Sequence, residues 1–289
     1  MRIAVLGLGR MGAAIAERLE QAGHELSVWN RSAGAVEPFK ERGIRSLDHP
    51  GDAWRHADCA ITMLADSEAV GAVALGEHGL LESDGHGVLI DMSTISATAS
   101  ATVAGECERR GVAFLRAPVT GNPSVVRAGN LGIIVSGPRD EFDRLVETLR
   151  DIGPTVFYVG SHEEARIVKL ALNLMIGGTV ELIAEALVLG QKHGIESAQM
   201  LEVMGASAVG SPFVKYKTDA LVAEDYTSTF SSRLMHKDLA LALEAASDAE
   251  LPLPATALTQ QLFQGCIATG MGDWDLTALL PRLRREAGL

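Results

Sequence analysis

The sequence predicts an α/β chain: a doubly wound N-terminal domain followed by an all-α C-terminal domain, joined by a long interdomain helix. Three observations predict it. Short apolar runs alternate with amphipathic stretches up to Gly160; no strand pattern follows Gly160; and the stretch 163–193 is apolar on nearly all faces, ~45 Å long as a helix at 1.5 Å per residue. The expected domains are therefore 1–162 and 163–289.

Taken in order, the first strand is read over 2–6, a helix over 12–22, a strand over 25–29 and a helix over 35–42. That alternation means a parallel sheet with helical crossovers. Strands continue over 59–63, 87–91, 113–117, 131–136 and 156–159, separated by helices near 67–75, 96–110 and 139–152. Beyond the boundary, helices are punctuated at Gly194, between Gly205 and Pro212, at Pro252 and Pro254, and between Gly270 and Gly272. Being apolar all round, the long helix must be wrapped by others, some from a second subunit, so a homodimer through the helical domain is expected.

Composition narrows the function classes. An apolar fraction of 47% supplies a large core, and a net charge of −12 without a long basic run speaks against a nucleic-acid or anionic-membrane surface. Lys169, Asn173, Glu181 and Glu185 interrupt the most apolar segment and would be costly in lipid, so no membrane span is expected. Three scattered cysteines, Cys59, Cys107 and Cys266, fit neither a metal cluster nor a disulfide framework, and read as reduced thiols of a cytoplasmic protein.

Five motifs carry chemistry. Gly7-Leu8-Gly9-Arg10-Met11-Gly12 has the G-x-G-x-x-G spacing between the first strand and a helix. A pyrophosphate site needs that arrangement: a tight turn at Gly7, close backbone approach at Gly9, close helix packing at Gly12, and free N–H groups at a helix start. Where a dinucleotide fold usually carries an acidic residue for the ribose of NAD, the second strand ends in Trp29-Asn30-Arg31-Ser32. A neutral Asn30 removes repulsion toward a 2′-phosphate, and Arg31 and Ser32 can bind one, so NADPH is preferred over NADH.

The third motif, Thr120-Gly121-Asn122-Pro123, follows a sheet strand and offers N–H groups and a hydroxyl for a substrate carboxylate, although alone it is equally an ordinary turn. The fourth, Lys169 and Asn173, places two polar groups on one face of the long apolar helix. Lys169 there is read as a proton donor to a carbonyl oxygen, the alternative being a lysine that snorkels to solvent. The fifth is His236-Lys237-Asp238-Leu239, in which Lys237 reaches an anion of cofactor or substrate, or forms a solvated helical ion pair with Asp238. A lip between Gly205 and Gly210, carrying Ser211 and Phe213, is the expected mobile edge of the cleft.

In this order the motifs resemble the β-hydroxyacid dehydrogenase family, which includes 3-hydroxyisobutyrate dehydrogenase, tartronate semialdehyde reductase and, more distantly, 6-phosphogluconate dehydrogenase. The resemblance covers essentially the whole chain. It implies that Gly7 to Gly12, Met63-Leu64 and Ser93-Thr94 line the cofactor, with Thr94 toward the nicotinamide. It further implies that Thr120 and Gly121 hold the substrate carboxylate, that Lys169 is the catalytic lysine with Asn173 its companion, and that Lys237 belongs to the family's Lys-Asp-Leu motif. Gly272-Asp273-Trp274-Asp275 is similar to the family's last acidic motif and is read as structural.

Two departures stand out: Thr120 replaces the usual serine, and Asn122, itself a candidate substrate contact, replaces a glycine. Related imine reductases share the architecture but generally lack the lysine. Retention of Lys169 favours carbonyl over imine chemistry, and the plausible chemistry kept at Thr120, Lys169 and Lys237 speaks against a non-catalytic NADP-binding scaffold. The expectation is an NADP-dependent oxidoreductase that needs no metal and moves a hydride between the nicotinamide and a small 3-hydroxy acid or its semialdehyde. In the oxidative direction a neutral Lys169 takes the hydroxyl proton, which calls for a pKa below its ordinary ~10.4.

Overall fold

The structure, a computed structural model, describes residues 1–83, 85 and 87–289. It contains two compact units, Met1–Lys169 and Leu170–Leu289.

The first unit is a sheet flanked by helices. Its strands are β1 (Arg2–Leu6), β2 (Glu25–Trp29), β3 (Arg45–Ser46), β4 (Cys59–Thr62), β5 (Val88–Asp91), β6 (Ala113–Arg116), β7 (Val119–Thr120), β8 (Gly132–Ser136) and β9 (Thr155–Gly160). They lie in the order β3-β2-β1-β4-β5-β6-β8-β7, with β9 also on β8. The helices are α1 (Arg10–Gln21), α2 (Glu37–Lys40), α3 (Ser67–Leu75), α4 (Ala97–Arg110), α5 (Pro123–Arg127) and α6 (Arg139–Ile152). Side chains alternate across each strand, so Ile3 and Val5 of β1 enter one core with Ile15, Leu19 and Leu145, while Ala4 and Leu6 enter the other with Leu80, Leu89 and Val103. Strands buried on both faces read as unbroken apolar runs, which is why they were visible in the sequence.

The parallel expectation fails at one edge. β8 is antiparallel to both β6 and β7, and β9 is parallel to β8. Between β7 and β8 the short stretch from Gly121 to Leu131 holds only α5, too little chain for a crossover across the sheet face, so the chain doubles back.

α7 (Glu164–Lys192) begins in the first unit and continues into the second, followed there by α8 (Ser197–Ala206), α9 (Pro212–Val222), α10 (Ser232–Asp248), α11 (Pro254–Ala268) and α12 (Leu279–Glu286). The helical core gathers Ile183, Leu187, Leu201, Val214, Met235, Leu239, Phe263 and Leu280. α7 is not wrapped on all sides: Met175, Leu182 and Leu189, seven residues apart, are exposed. By length and composition α7 is long and apolar enough to cross a membrane. Its buried Arg166 and Asn173, however, bond protein groups.

Candidate active site

In the first unit the glycine fingerprint sits where β1 meets α1. Gly7 has φ +98°, and its N–H donates to Trp29 O at 2.9 Å. A Cβ on Gly7 would lie 2.4 Å from Met63 O, and one on Gly12 only 1.8 Å from Gly7 O. Both positions therefore require glycine, which lets the turn, the β4 loop and α1 pack backbone to backbone. A Cβ on Gly9 would meet nothing within 4 Å, so that side of the turn is open. No side chain among the described residues caps α1, and its first turn carries no acidic group. Its first N–H groups are thus oriented for an anion.

Asn30 has a definite task beside this turn. Its Oδ1 accepts from Leu8 N at 2.9 Å and its Nδ2 donates to Ser32 O at 3.1 Å. The side chain thereby ties the end of β2 to the fingerprint, while Arg31 and Ser32 are exposed beyond it, as is Arg10. Met11 is half-buried against the core.

Met63 and Leu64 form the loop after β4, and Ser93 and Thr94 the loop after β5. Ser93 belongs to the loop expected along the cofactor, and its side chain is turned into the protein. It is fully buried, donating through Oγ to Asp91 Oδ1 at 2.6 Å and accepting from Leu64 N at 2.9 Å. It braces the two loops against each other. Met63, Leu64 and the half-buried Thr94 remain at the surface of these loops.

Thr120 pairs with Gly132 across β7 and β8, and a Cβ on Gly132 would come within 2.6 Å of the Thr120 methyl. The methyl that distinguishes Thr120 from serine is therefore seated on a glycine. Gly121 follows as an exposed turn residue. Asn122, expected to add a polar contact for substrate, spends its oxygen instead on capping α5: Oδ1 accepts from Ser124 N at 3.0 Å, Val125 N at 3.1 Å and Ser124 Oγ at 2.6 Å. This supplies the N-terminal partners that a short helix opening on Pro123 needs.

Lys169, half-buried on α7, ends the first unit. In the second unit Asn173 is buried and donates to Asp238 Oδ2 at 2.5 Å, and Lys237 Nζ lies 3.0 Å from Asp238 Oδ1. Asp238 therefore links Asn173 to Lys237, a role the Lys-Asp pair on α10 hid because the partner lies 65 residues away. Phe213 lies just beyond the Gly205 to Gly210 segment read as a lip. It stands in the first turn of α9, packed on the helical core, and Ser211 caps that helix by accepting from Val214 N.

Asp275, the last residue of the acidic motif, anchors the second unit. It accepts from buried Lys217 at 2.8 and 2.9 Å and from the N–H and hydroxyl of both Thr229 and Thr277. Burial works to raise its pKa, but the Lys217 bonds and charge with these further donors outweigh it and hold the carboxyl below its ordinary value. Lys217 itself carried no motif and was missed in the sequence.

Comparison with known proteins bears on the fold and the family. Residues 2–160 match the family model of the NAD binding domain of 6-phosphogluconate dehydrogenase, and residues 164–283 the model described as NAD-binding of NADP-dependent 3-hydroxyisobutyrate dehydrogenase. The 3-hydroxyisobutyrate dehydrogenase of Pseudomonas aeruginosa is 35% identical over 90% of each chain. The 2-(hydroxymethyl)glutarate dehydrogenase of Eubacterium barkeri is 31% identical over 100% of this chain and 97% of its own. Among solved structures, the Mycobacterium tuberculosis 3-hydroxyisobutyrate dehydrogenase with L-serine superposes with a TM-score of 0.87 at 26% identity, covering 98% of this chain and 99% of that one. The chain therefore belongs to the β-hydroxyacid dehydrogenase family and is an NAD(P)-dependent oxidoreductase acting on a CH–OH group.

Proposed function

We propose that this chain is an NADP-dependent dehydrogenase or reductase for a small 3-hydroxy acid and its semialdehyde. The 1–162 region holds the cofactor, and the 163–289 region serves substrate binding and dimerisation. The observation that carries the reading is a polar set on otherwise apolar helices: Lys169, and four residues on, the buried Asn173 bonded to Asp238. A buried amide fixed by a carboxylate is preorganised for an oxygen ligand, and a lysine beside it supplies the proton.

The turn Gly7 to Gly12, with its open side at Gly9, fits a pyrophosphate, and Arg31 and Ser32 beyond Asn30 suit a 2′-phosphate. Met63, Leu64 and Thr94 extend that surface. When bound, NADP supplies the hydride acceptor and NADPH the donor. The chain's own residues do the rest. Thr120 and the Gly121 N–H hold the substrate carboxylate, and Asn173 orients the reacting oxygen. Lys169 gives that oxygen a proton in reduction and takes the hydroxyl proton in oxidation. Lys237 adds positive charge for an anionic group, its direction set by Asp238.

A homodimer through the helical domain belongs to the same reading, supported by the exposed Met175, Leu182 and Leu189 stripe at coiled-coil spacing. Buried, reduced thiols at Cys59, Cys107 and Cys266 support a cytoplasmic setting.

The test is steady-state NADP+ reduction with 3-hydroxyisobutyrate, L-serine and other short 3-hydroxy acids, with NAD+ as the control. Lys169→Met is expected to bind NADPH normally and to lose turnover about 100-fold or more, the range of a general acid. Normal turnover by Lys169→Met would remove the lysine from the mechanism, and activity confined to cyclic imines would replace carbonyl chemistry altogether.

A further inference from the structure

Asp91, Arg116 and Ser136 are register partners at the ends of three neighbouring strands, β5, β6 and β8. All three side chains bond the start of α7. Ser136 Oγ donates to His162 O at 2.6 Å and accepts from Ala165 N at 3.2 Å. Asp91 Oδ2 accepts from Arg166 Nη2 at 2.5 Å, and Glu163 Oε1 accepts from Arg116 Nε at 2.8 Å and from Arg116 Nη2. Asp91 and Arg166 are fully buried, Arg116 nearly so, and Glu163 is partly buried.

The two pairs are crossed in sign: the sheet presents a carboxylate and then a guanidinium, and Arg166 in the first turn of α7, with Glu163 just before that turn, meets them. Residues three apart on a helix rise about 4.5 Å, close to the roughly 4.8 Å between strands. A helix displaced by that one step brings Arg166 to Arg116 or Glu163 to Asp91, a buried like-charge contact. A buried ion pair contributes little net stability compared with apolar side chains of the same size, so two of opposite polarity side by side are better explained by the position they encode.

The same residues hold the loops expected at the cofactor. Asp91 Oδ1 accepts from Thr62 Oγ1 at 2.7 Å and from Ser93 Oγ, Ser93 Oγ accepts from Leu64 N, and Arg166 Nη1 donates to Ser93 O at 2.7 Å. Lys169 follows Arg166 by one turn. We propose that Asp91, Arg116, Glu163 and Arg166 form a charge-coded register lock that sets Lys169 against the loops at 63–64 and 93–94. This makes Glu163 and Arg166 positioning residues for the proton transfer. The assignment of a catalytic consequence rests on the Lys169 reading above; the lock itself does not.

The decisive variant is the reversed pair Arg116→Glu with Glu163→Arg. It retains the number of ion pairs but leaves the helix with two cations and the sheet with two carboxylates, so neither docking position is penalised. Its readout is the acylation of Lys169 by acetic anhydride, measured by mass spectrometry relative to exposed Lys40, with and without NADPH. Kinetics with 3-hydroxyisobutyrate run alongside. A folded reversed variant is expected to change the Lys169 to Lys40 ratio about fivefold or more, and to lower kcat about tenfold with KM nearly constant.

A folded reversed variant whose ratio stays within about twofold of wild type overturns the lock, because a merely stabilising role moves Tm and not the environment of Lys169. Should the reversed variant not fold, Glu163→Gln, which keeps size and removes one encoding charge, is judged by the same ratio. If Lys169→Met retains full turnover, the catalytic reading fails while the acylation ratio still decides the lock.

Discussion

Lys217→Met exposes how the second unit is held together. Lys217 and Asp275 are both buried, and the two contacts between them are 2.8 and 2.9 Å. Breaking one side of a buried pair costs about 3–5 kcal/mol. In Lys217→Met the carboxylate keeps the N–H and hydroxyl donors of Thr229 and Thr277, so the loss falls near the lower end, ~3 kcal/mol. Asp275→Asn leaves a buried ammonium with the Thr229 hydroxyl, the Tyr216 ring 5.1 Å away and a neutral amide but no counter-charge, and falls near the upper end, ~5 kcal/mol.

At about 2–4 °C per kcal/mol for a chain of this size, Lys217→Met lowers Tm by roughly 10 °C. The double variant is expected to be about as stable as Lys217→Met alone, because the second change removes a charge already without its partner. Calorimetry across pH adds a sign. The Asp275 pKa is depressed in the folded chain, so its stabilisation is fully present above the unfolded value of about 3.9 and is lost as pH falls through the folded value. Lys217→Met should flatten that acid slope. Additive losses in the double variant, or a shift under about 3 °C for Lys217→Met, would refute the argument.

Other outcomes follow from the same geometry. Arg31→Ala is expected to reduce the preference for NADPH over NADH about tenfold or more without altering NADH binding, read by fluorescence titration with both cofactors. Gly12→Ala, whose Cβ would overlap Gly7 O, should weaken binding of both cofactors together, which a parallel titration checks. Asn122→Ala removes the α5 cap and should cost about 1 kcal/mol, seen as a lower Tm, while Asn122→Asp keeps the cap and the Tm. Leu182→Glu is expected to shift the assembly to monomer in light scattering, whereas an unchanged mass would move the interface away from this stripe.

What was legible in the sequence was local. The Gly7 to Gly12 turn, the buried strands and the length of α7 all declare themselves within windows of a few to thirty residues, because backbone sterics and side-chain periodicity act at that range. The exposed face of α7 did not, since exposed Met175, Leu182 and Leu189 have the same composition as buried Ile183 and Leu187. Nor did the reversal at β8, which depends on how little chain lies between Gly121 and Leu131. Ser93 is placed along the cofactor by the resemblance alone, while its bonds to Asp91 and from Leu64 show only in the fold. Arg166 and Lys217 passed unnoticed for the same reason: their partners lie 75 and 58 residues away, and nothing in either sequence neighbourhood announces a buried charge.

The bond from Leu8 N to Asn30 Oδ1 bears on how cofactor use changes in such folds. The atom that steadies the glycine turn is an acceptor oxygen that asparagine and aspartate both carry, and aspartate loses only the donor that meets Ser32 O. A single exchange between these residues alters the charge at the end of β2 and leaves the turn's anchor in place. Alanine or valine there would cut the anchor itself. On the proposed reading of the cofactor site, position 30 is thus open to exchange between asparagine and aspartate and closed to most other side chains, a narrow passage through which dinucleotide preference can reverse without passing through an unfolded turn.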